Sequence, residues 1–171
     1  MNMHDHTAKN EKSYDTHAEE WESAMPINLA HKYMEKPAMT ALLPQDLHGK
    51  SVLCIGTGSG EELDLLSRRG AEDITAIDIS NELLKRAAAK FPAVKYHKMD
   101  MMNLFFADES FDFVYSSLAF HYASDWDKLL SEIYRVLKKG GVCFFQLTDQ
   151  SFGRKRRKRG IYLPTNVALF L

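Results

Sequence analysis

Short apolar segments alternate with amphipathic segments from residue 51 to residue 148, and this alternation limits the possible folds more than any other feature. Apolar, β-rich runs predict five strands at 51–55, 73–79, 94–99, 111–116 and 142–148, of which 94–99 is the least apolar and therefore lies near an edge. Helices are predicted between them, over 61–69, from a Ser80 or Asn81 cap to Pro92, and from an Asp125 cap to Gly140. Strands and helices that alternate with short connections form parallel sheets with right-handed crossovers. The sequence therefore predicts an α/β fold with a doubly wound, mostly parallel sheet.

The residues before and after this alternation are predicted to form a cap and a tail. Helices at 13–25 and 28–43, separated by Pro26, give a helical cap of about residues 1–45, preceded by a polar start that is expected to be disordered. Residues 1–150 then make one domain. Residues 151–171 make a basic tail, in which the apolar segment after Gly160 can add one strand at the sheet edge.

Charge is distributed unevenly along the chain. Residues 154–159 are all Lys or Arg, which leaves 16 basic residues against 23 Asp and Glu in residues 1–150, a formal charge of about −7. So acidic a domain is poorly suited to a phosphate backbone, and nucleic acid is not an expected partner. No apolar run approaches the ~18 residues that span a bilayer, so we expect a cytoplasmic protein.

A glycine-rich turn follows the first predicted strand. Gly56, Thr57, Gly58, Ser59 and Gly60 are followed at once by two acids, Glu61 and Glu62. A dinucleotide fingerprint starting at Gly56 needs glycine at position 61, and a phosphate loop needs a Lys-Ser or Lys-Thr pair that the turn lacks. The two carboxylates also repel phosphate. The turn therefore predicts a ligand with adenosine-like groups but no diphosphate, which disfavours an NAD-type oxidoreductase.

Asp78 ends the second predicted strand, 18 residues after Gly60. Ligands of open α/β sheets bind beyond the carboxyl ends of the strands, so this carboxylate is expected beside the glycine turn. A carboxylate there can accept two hydrogen bonds from the vicinal hydroxyls of a ribose.

Several segments, in order, resemble the motifs of class I S-adenosylmethionine-dependent methyltransferases. Residues 52–60 resemble the first motif, 76–80 the second, 100–104 with 111–114 the third and fourth, and 137–141 the turn before the fifth strand. Residues 14–18, Tyr-Asp-Thr-His-Ala, are similar to an N-terminal segment of the small-molecule subgroup related to ubiquinone and menaquinone biosynthesis. The resemblance covers about residues 14–150.

This resemblance implies S-adenosylmethionine as cofactor, S-adenosylhomocysteine as product and a small-molecule acceptor. It implies roles for the following residues: the backbone of Gly56, Thr57, Gly58 and Gly60 facing the methionine part, Asp78 on the ribose, Ile79 on the adenine face, Asp100 and Met101 at the adenine, and Ser117 and Leu118 near the sulfonium. Tyr14 would reach the site if the N-terminal helices fold over it as a lid.

Methyl transfer from a sulfonium is an in-line displacement, so a general base is needed only when the acceptor must lose a proton. His121 and Tyr122 follow the fourth predicted strand and are the candidates, although they fit equally well as loop residues that shape the acceptor pocket. No residue pattern indicates a metal site.

The family fold continues after its fifth strand with a helix and two more strands, whereas about 21 residues follow here. We therefore expect a shortened C-terminus, and a cofactor-binding module without turnover remains an alternative to an active enzyme. A homodimer paired through the sheet edge could supply the missing wall.

Overall fold

The computed structural model describes residues 3–24, 33, 36–147, 161–162 and 167–170. The helices are α1 (Met3–Thr16), α2 (Ala18–Ala24), α3 (Lys36–Leu42), α4 (Glu61–Arg68), α5 (Asn81–Lys90) and α6 (Trp126–Val136). The strands are β1 (Ser51–Ile55), β2 (Asp73–Asp78), β3 (Lys95–Lys98), β4 (Phe111–Ser117), β5 (Leu137–Gln146), β6 (Ile161–Tyr162) and β7 (Val167–Phe170).

The strands form one sheet in the order β3-β2-β1-β4-β5-β7-β6. Strands β1 to β5 are all parallel to one another, and β3 stands at an edge. The chain winds outward from β1 to β3, then returns to the other side of β1 at β4. The predicted doubly wound, mostly parallel sheet is confirmed, and its switch point lies between β1 and β4.

Alternate residues of the central strands feed two separate apolar cores. Val52 and Cys54 of β1 pack on one face with Leu63 and Leu66 of α4, whereas Leu53 packs on the other with residues of α6. This explains why the central strands are almost continuously apolar, since both faces are covered. Cys54 and Cys143 are buried free thiols in these layers.

The N-terminal helices differ from the sequence prediction. Helix α1 begins at Met3 rather than at residue 13, so the expectation of a disordered polar start was wrong. Polar side chains of α1 bond to residues of the sheet and its loops, and hydropathy does not reveal such contacts. Of the helix predicted at 28–43, the structure describes α3, and residues 25–32 and 34–35 lie outside the described residues.

The end of the sheet also differs. Strand β5 starts at Leu137, directly after α6, and not at residue 142, so Gly140 and Gly141 lie inside the strand and do not end the helix. Gly140 has a φ of 76°, and the pairing of β4 with β5 shifts register between Phe111 and Phe113. These glycines accommodate an irregular start of the strand.

The tail forms two short strands where one was expected. Strand β7 pairs antiparallel with β5, from Cys143 opposite Phe170 to Gln146 opposite Val167, and β6 pairs with β7. The basic run 154–159 lies outside the described residues. Within the described part of the chain, no helix is long and apolar enough to cross a membrane.

Candidate functional site

A crevice opens at the carboxyl ends of the strands, over the switch point. It encloses about 1000 Å³ of empty space including its mouth. Its walls come from α1 and α2 on one side and from the loops after β1 to β4 on the other. The lining residues are Thr7, Asn10, Tyr14, Trp21, Ile55, Gly56, Thr57, Gly58, Ser59, Glu61, Glu62, Ile77, Asp78, Ile79, Leu83, Met99, Asp100, Met101, Met102, Ser117, Leu118, Ala119 and Tyr122.

The glycine turn is tied to the neighbouring strand. The amides of Gly56 and Thr57 donate to the carbonyl of Ile77, at 2.9 and 3.1 Å. Gly56 has a φ of 68°, and a Cβ there would collide with the Cβ of Ala119. Glycine at this position therefore lets the turn after β1 pack directly on the chain after β4.

Gly60 does not line the crevice, in contrast to the role that the resemblance implies for it. Its φ is 89°, and a Cβ there would lie 3.2 Å from the side chains of Ala87 and Phe91. This glycine allows the start of α4 to approach α5 closely. Glycine is therefore needed at this position for packing.

Asp78 is 9% exposed and connects two turns. Its Oδ2 accepts from the Gly58 amide and its Oδ1 from the Ser80 amide, both at 2.9 Å. Burial raises the pKa of this carboxyl, against the opposing effect of the backbone amides that donate to it. The carboxylate is thus oriented at the crevice wall by the backbone alone.

Asp100 lies on the same side of the crevice, after β3. Its Oδ1 accepts from the Met102 amide at 2.9 Å, and its Oδ2 accepts from the Thr7 hydroxyl at 3.3 Å. Ile79 and Met101 line the crevice beside the two carboxylates. The residues predicted for ribose and adenine are therefore brought together.

Three aromatic rings line the crevice, those of Tyr14 in α1, Trp21 in α2 and Tyr122 after β4. Tyr14 meets Trp21 and Tyr122 edge to face, with ring centroids 5.3 and 5.8 Å apart. Burial, with smaller effects of Tyr122 and Asp78, raises the pKa of Tyr14 far above its usual value, so this phenol stays protonated. Tyr14 therefore reaches the site as part of a lid that is formed by helices α1 and α2.

Acidic side chains fasten the lid to the domain. Asp15 accepts from the Ser80 hydroxyl at 2.6 Å, and Glu22 pairs with Arg86 at 2.6 Å and with Lys90. These partners hold the pKa values of both carboxyls below their usual range, chiefly through Ser80 for Asp15 and through Lys90 and Arg86 for Glu22.

The sequence analysis missed three lining residues of the lid, Thr7, Asn10 and Trp21. Thr7, Asn10 and Tyr14 follow the i, i+3, i+7 spacing of one helix face. That spacing was the available signal, but the residues are polar, so a search for apolar stripes passes over them.

The loop after β4 completes the site. Ser117 and Leu118 line the crevice, and Leu118 has a left-handed φ of 55°, unusual for a branched residue. Its amide donates to the Gln146 carbonyl at 3.1 Å, which holds this conformation.

His121 and Tyr122 occupy different positions. Tyr122 lines the crevice, whereas the His121 ring lies behind it, with the two centroids 4.2 Å apart. The Nδ1 of His121 is buried and has no hydrogen-bond partner in the described chain. Burial lowers the pKa of this imidazole, so it is neutral at pH 7.

In the described ranges, no group of His, Cys, Asp and Glu is placed to hold a metal ion.

The family described as a methyltransferase domain matches residues 53–145, more than half of the chain. The chain belongs to that family. This family is that of the class I, S-adenosylmethionine-dependent methyltransferases.

Methyltransferases from other organisms are similar to this chain over about two thirds of its length. The malonyl-[acyl-carrier protein] O-methyltransferase of Pectobacterium atrosepticum is 35% identical over 114 residues, which are 66% of this chain and 44% of that protein. An S-adenosylmethionine-dependent methyltransferase from Mesorhizobium loti is 33% identical with a TM-score of 0.61, over 66% of this chain and 52% of that one.

A third similar protein is phosphoethanolamine N-methyltransferase 2 of Haemonchus contortus, solved with phosphomonomethylethanolamine and S-adenosylhomocysteine. It is 29% identical with a TM-score of 0.59, over 68% of this chain and 28% of that one. The chain spans 44% of the length of the Pectobacterium atrosepticum relative.

Proposed function

We propose that the crevice binds S-adenosylmethionine and that the protein transfers its methyl group to a small-molecule acceptor by in-line displacement. The observation that carries this proposal is the convergence of the predicted residues. Every predicted cofactor-binding residue except Gly60 lines this one crevice. The Haemonchus contortus relative, whose structure contains S-adenosylhomocysteine, supports the same ligand.

The charges of the crevice fit this cofactor. Four acidic residues line it, Glu61, Glu62, Asp78 and Asp100, and its described lining includes no Lys, Arg or His. S-adenosylmethionine offers a sulfonium, an ammonium, ribose hydroxyls and an adenine amine, which carboxylates attract or bind. A dinucleotide would bring a diphosphate among four negative charges, and we therefore expect the crevice to reject it.

The cofactor supplies an activated methyl group, so the protein has mainly to align the reactants and exclude water. Alignment of this kind can lower the activation barrier by ~7–11 kcal/mol. Asp78 and Asp100 would fix the nucleoside, Ser117 and Leu118 would lie beside the sulfur, and the rings of the lid would close the crevice. Tyr122 would meet the acceptor, whereas His121, which does not line the crevice, would pack against the Tyr122 ring and not contact the acceptor.

Titration calorimetry tests the binding half of this proposal. S-adenosylhomocysteine should bind, whereas NADH should give no saturable heat. Asp78→Ala should weaken S-adenosylhomocysteine at least about tenfold, because up to two charge-assisted hydrogen bonds are lost. Asp64→Ala, at an exposed position of α4 paired with Arg68, is the matched control and should leave the affinity unchanged.

NADH binding as tight as that of S-adenosylhomocysteine would refute the assignment. Turnover is tested separately, by incubating the protein with S-adenosylmethionine and a panel of hydroxy, amino and carbon acceptors and following S-adenosylhomocysteine. Binding without product from any acceptor would favour the cofactor-binding module over the enzyme.

A further inference from the structure

The loop between β3 and β4 forms one wall of the crevice, and helix α6 holds this loop. The residues at the start of the loop that line the crevice are Met99, Asp100, Met101 and Met102. On α6, Glu132 and Arg135 lie one turn apart and form an ion pair, with 2.9 Å between Oε1 and Nε. Neither of them is among the described residues that line the crevice. Any effect of this pair on a ligand must therefore pass through the loop.

The pair bonds the backbone of the loop at three points. Oε2 of Glu132 accepts from the Leu104 amide at 2.7 Å. Nη2 of Arg135 donates to the Leu104 carbonyl at 2.7 Å, and its Nη1 donates to the Phe106 carbonyl at 2.6 Å. A guanidinium presents its donors in a rigid planar fork, so it can hold two carbonyls and a carboxylate at the same time. Both backbone polar groups of the buried Leu104 are satisfied in this way.

The other end of the same short segment is fixed to the sheet. The Met99 amide donates to the Asp78 carbonyl at 3.0 Å, so the segment starts from β2. Asp100 closes the turn that follows, because its Oδ1 accepts from the Met102 amide at 2.9 Å. Asp100 thus lies between an attachment to β2 and an attachment to α6 at Leu104. Because the segment is so short, a displacement of Leu104 would also displace the Asp100 carboxylate.

We propose that Glu132 and Arg135 are positioning residues, which set where the Asp100 carboxylate meets the adenine of the cofactor. This inference rests on the function proposed above, in which Asp100 helps to fix the nucleoside. Binding groups are precise only when residues behind them hold them in place, and this pair supplies that support from a rigid helix.

The charges of the pair make this support permanent. The Arg135 guanidinium, which donates to Glu132, holds the pKa of that carboxyl below its usual range. Glu132 and Asp108 in turn raise the pKa of Arg135 above its usual value. Both groups therefore stay ionised throughout the physiological range, and the loop is held before any ligand arrives.

The experiment measures how well the protein distinguishes adenine from hypoxanthine. S-inosylhomocysteine differs from S-adenosylhomocysteine only in the base, where a carbonyl oxygen replaces the amine that can donate to a carboxylate. Arg135→Lys keeps the charge but loses the fork. We expect it to weaken S-adenosylhomocysteine about threefold or more and S-inosylhomocysteine less, so that the preference for adenine falls. Glu132→Ala should have the same effect, and Glu132→Gln, which can still accept from the Leu104 amide, should restore most of the preference.

Asp108→Ala is the matched control. It removes an exposed ion pair of the same guanidinium and leaves the bonds to the loop carbonyls in place, so neither affinity should change. Equal weakening of both ligands in Arg135→Lys would mean a general structural role and would overturn the proposal, as would unchanged affinities or a wild-type protein without preference for adenine. If wild-type protein does not bind S-adenosylhomocysteine at all, the proposed function fails, and this inference fails with it.

A measurement on the wild type alone covers the case of variants that do not fold. In the ligand-free protein, the Leu104 amide should be protected from hydrogen exchange, because Glu132 accepts its hydrogen bond. Nuclear magnetic resonance measures this exchange residue by residue. Exchange of the Leu104 amide at the rate of an unstructured peptide would show that the loop is not held, and would overturn the proposal.

Discussion

At the scale of single residues, Asp78 links the fold to the proposed chemistry. It is nine-tenths buried, yet it accepts from the amides of Gly58 and Ser80, so its position is set before any ligand arrives. The same burial, together with the negative charge of Asp15, raises its pKa. A carboxylate so placed is pre-oriented but easily protonated.

Ligand affinity should therefore depend on pH through Asp78. Ribose hydroxyls donate to the ionised carboxylate, so protonation competes with the cofactor, and affinity should fall as the pH is lowered toward the raised pKa of Asp78. This fall should begin above the value of 3.8 that is usual for Asp. Titrations of S-adenosylhomocysteine from neutral pH downward measure it. Asp78→Asn should bind weakly but with a flatter profile, and parallel profiles would contradict this role.

Most of the predicted site residues line the crevice, but Gly60 and His121 do not, and these two show what spacing along the chain leaves open. Spacing along the chain locates a residue near the carboxyl edge, but it does not tell on which side of the turn a residue faces. Gly60 faces Ala87 of α5 and Phe91 just after it, and His121 lies behind Tyr122. Those directions depend on packing between elements distant in sequence, which no local pattern records.

At the scale of elements, the lid is held by contacts that the sequence could not pair. Asp15 of α1 bonds the Ser80 hydroxyl, and the same hydroxyl caps α5 by accepting from the Leu83 amide at 3.2 Å. The start of α5 and the lid thus share one polar network. Each partner is an ordinary polar residue, and 65 positions separate Asp15 from Ser80.

Breaking this network should loosen the lid. Asp15→Ala removes the bonds to the Ser80 hydroxyl and to the Glu82 amide, so α1 should open more often. We expect faster hydrogen exchange in α1 and an affinity for S-adenosylhomocysteine that is several-fold lower, with little change in the sheet. Glu20→Ala, exposed on α2, is the control. Unchanged exchange in α1 would show that the other contacts, the aromatic rings and the ion pairs of Glu22, are enough to hold the lid.

The starts of three strands share a second polar cluster. Asp112 of β4 accepts from the amide and hydroxyl of Ser51 in β1, at 2.9 and 2.7 Å, and from Lys138 of β5 at 2.7 Å. Lys138 and Ser51 hold the pKa of Asp112 well below its usual range. This cluster lies at the end of the sheet opposite the crevice, so it bears on stability.

Asp112→Ala should lower the free energy of unfolding by about 1–2 kcal/mol, because the cluster is only partly buried. A lowered carboxyl pKa stabilises the fold at high pH. The difference between wild type and variant should therefore be full above pH ~4 and should shrink as the pH falls further. Urea unfolding at several pH values measures this. Asp108→Ala, whose carboxylate is exposed and paired with Arg135, should cost no more than ~0.5 kcal/mol.

At the scale of the whole molecule, the sheet and the helical character of the cap were predictable, but the bounds of the helices in the cap were not. Periodicity revealed β1, β2 and β4 because these strands are buried on both faces and bounded by turns, and it showed β3 as the least apolar strand, in agreement with its exposed position at the edge. It misplaced the start of β5, where Leu137 pairs with Phe111 across an irregular register. It also missed the first turns of α1, because the sequence there is mostly polar and carries no apolar stripe.

The predicted homodimer through a sheet edge depends on what covers β5, and the final prediction concerns this edge. β7 pairs with β5 over Cys143 to Gln146, and a chain that ends at Gly160 would expose those backbone groups and the apolar strand that carries them. Open edges of this kind recruit other strands. Truncation at Gly160 should therefore increase self-association, measured by light scattering with size-exclusion chromatography.

Replacing the six basic residues 154–159 by Ser and Gln keeps β7, so both the oligomeric state and the binding of S-adenosylhomocysteine should stay as in the wild type. A truncated protein that stays monomeric and equally stable would mean that the sheet does not need β7, and that a dimer, if one forms, uses another edge.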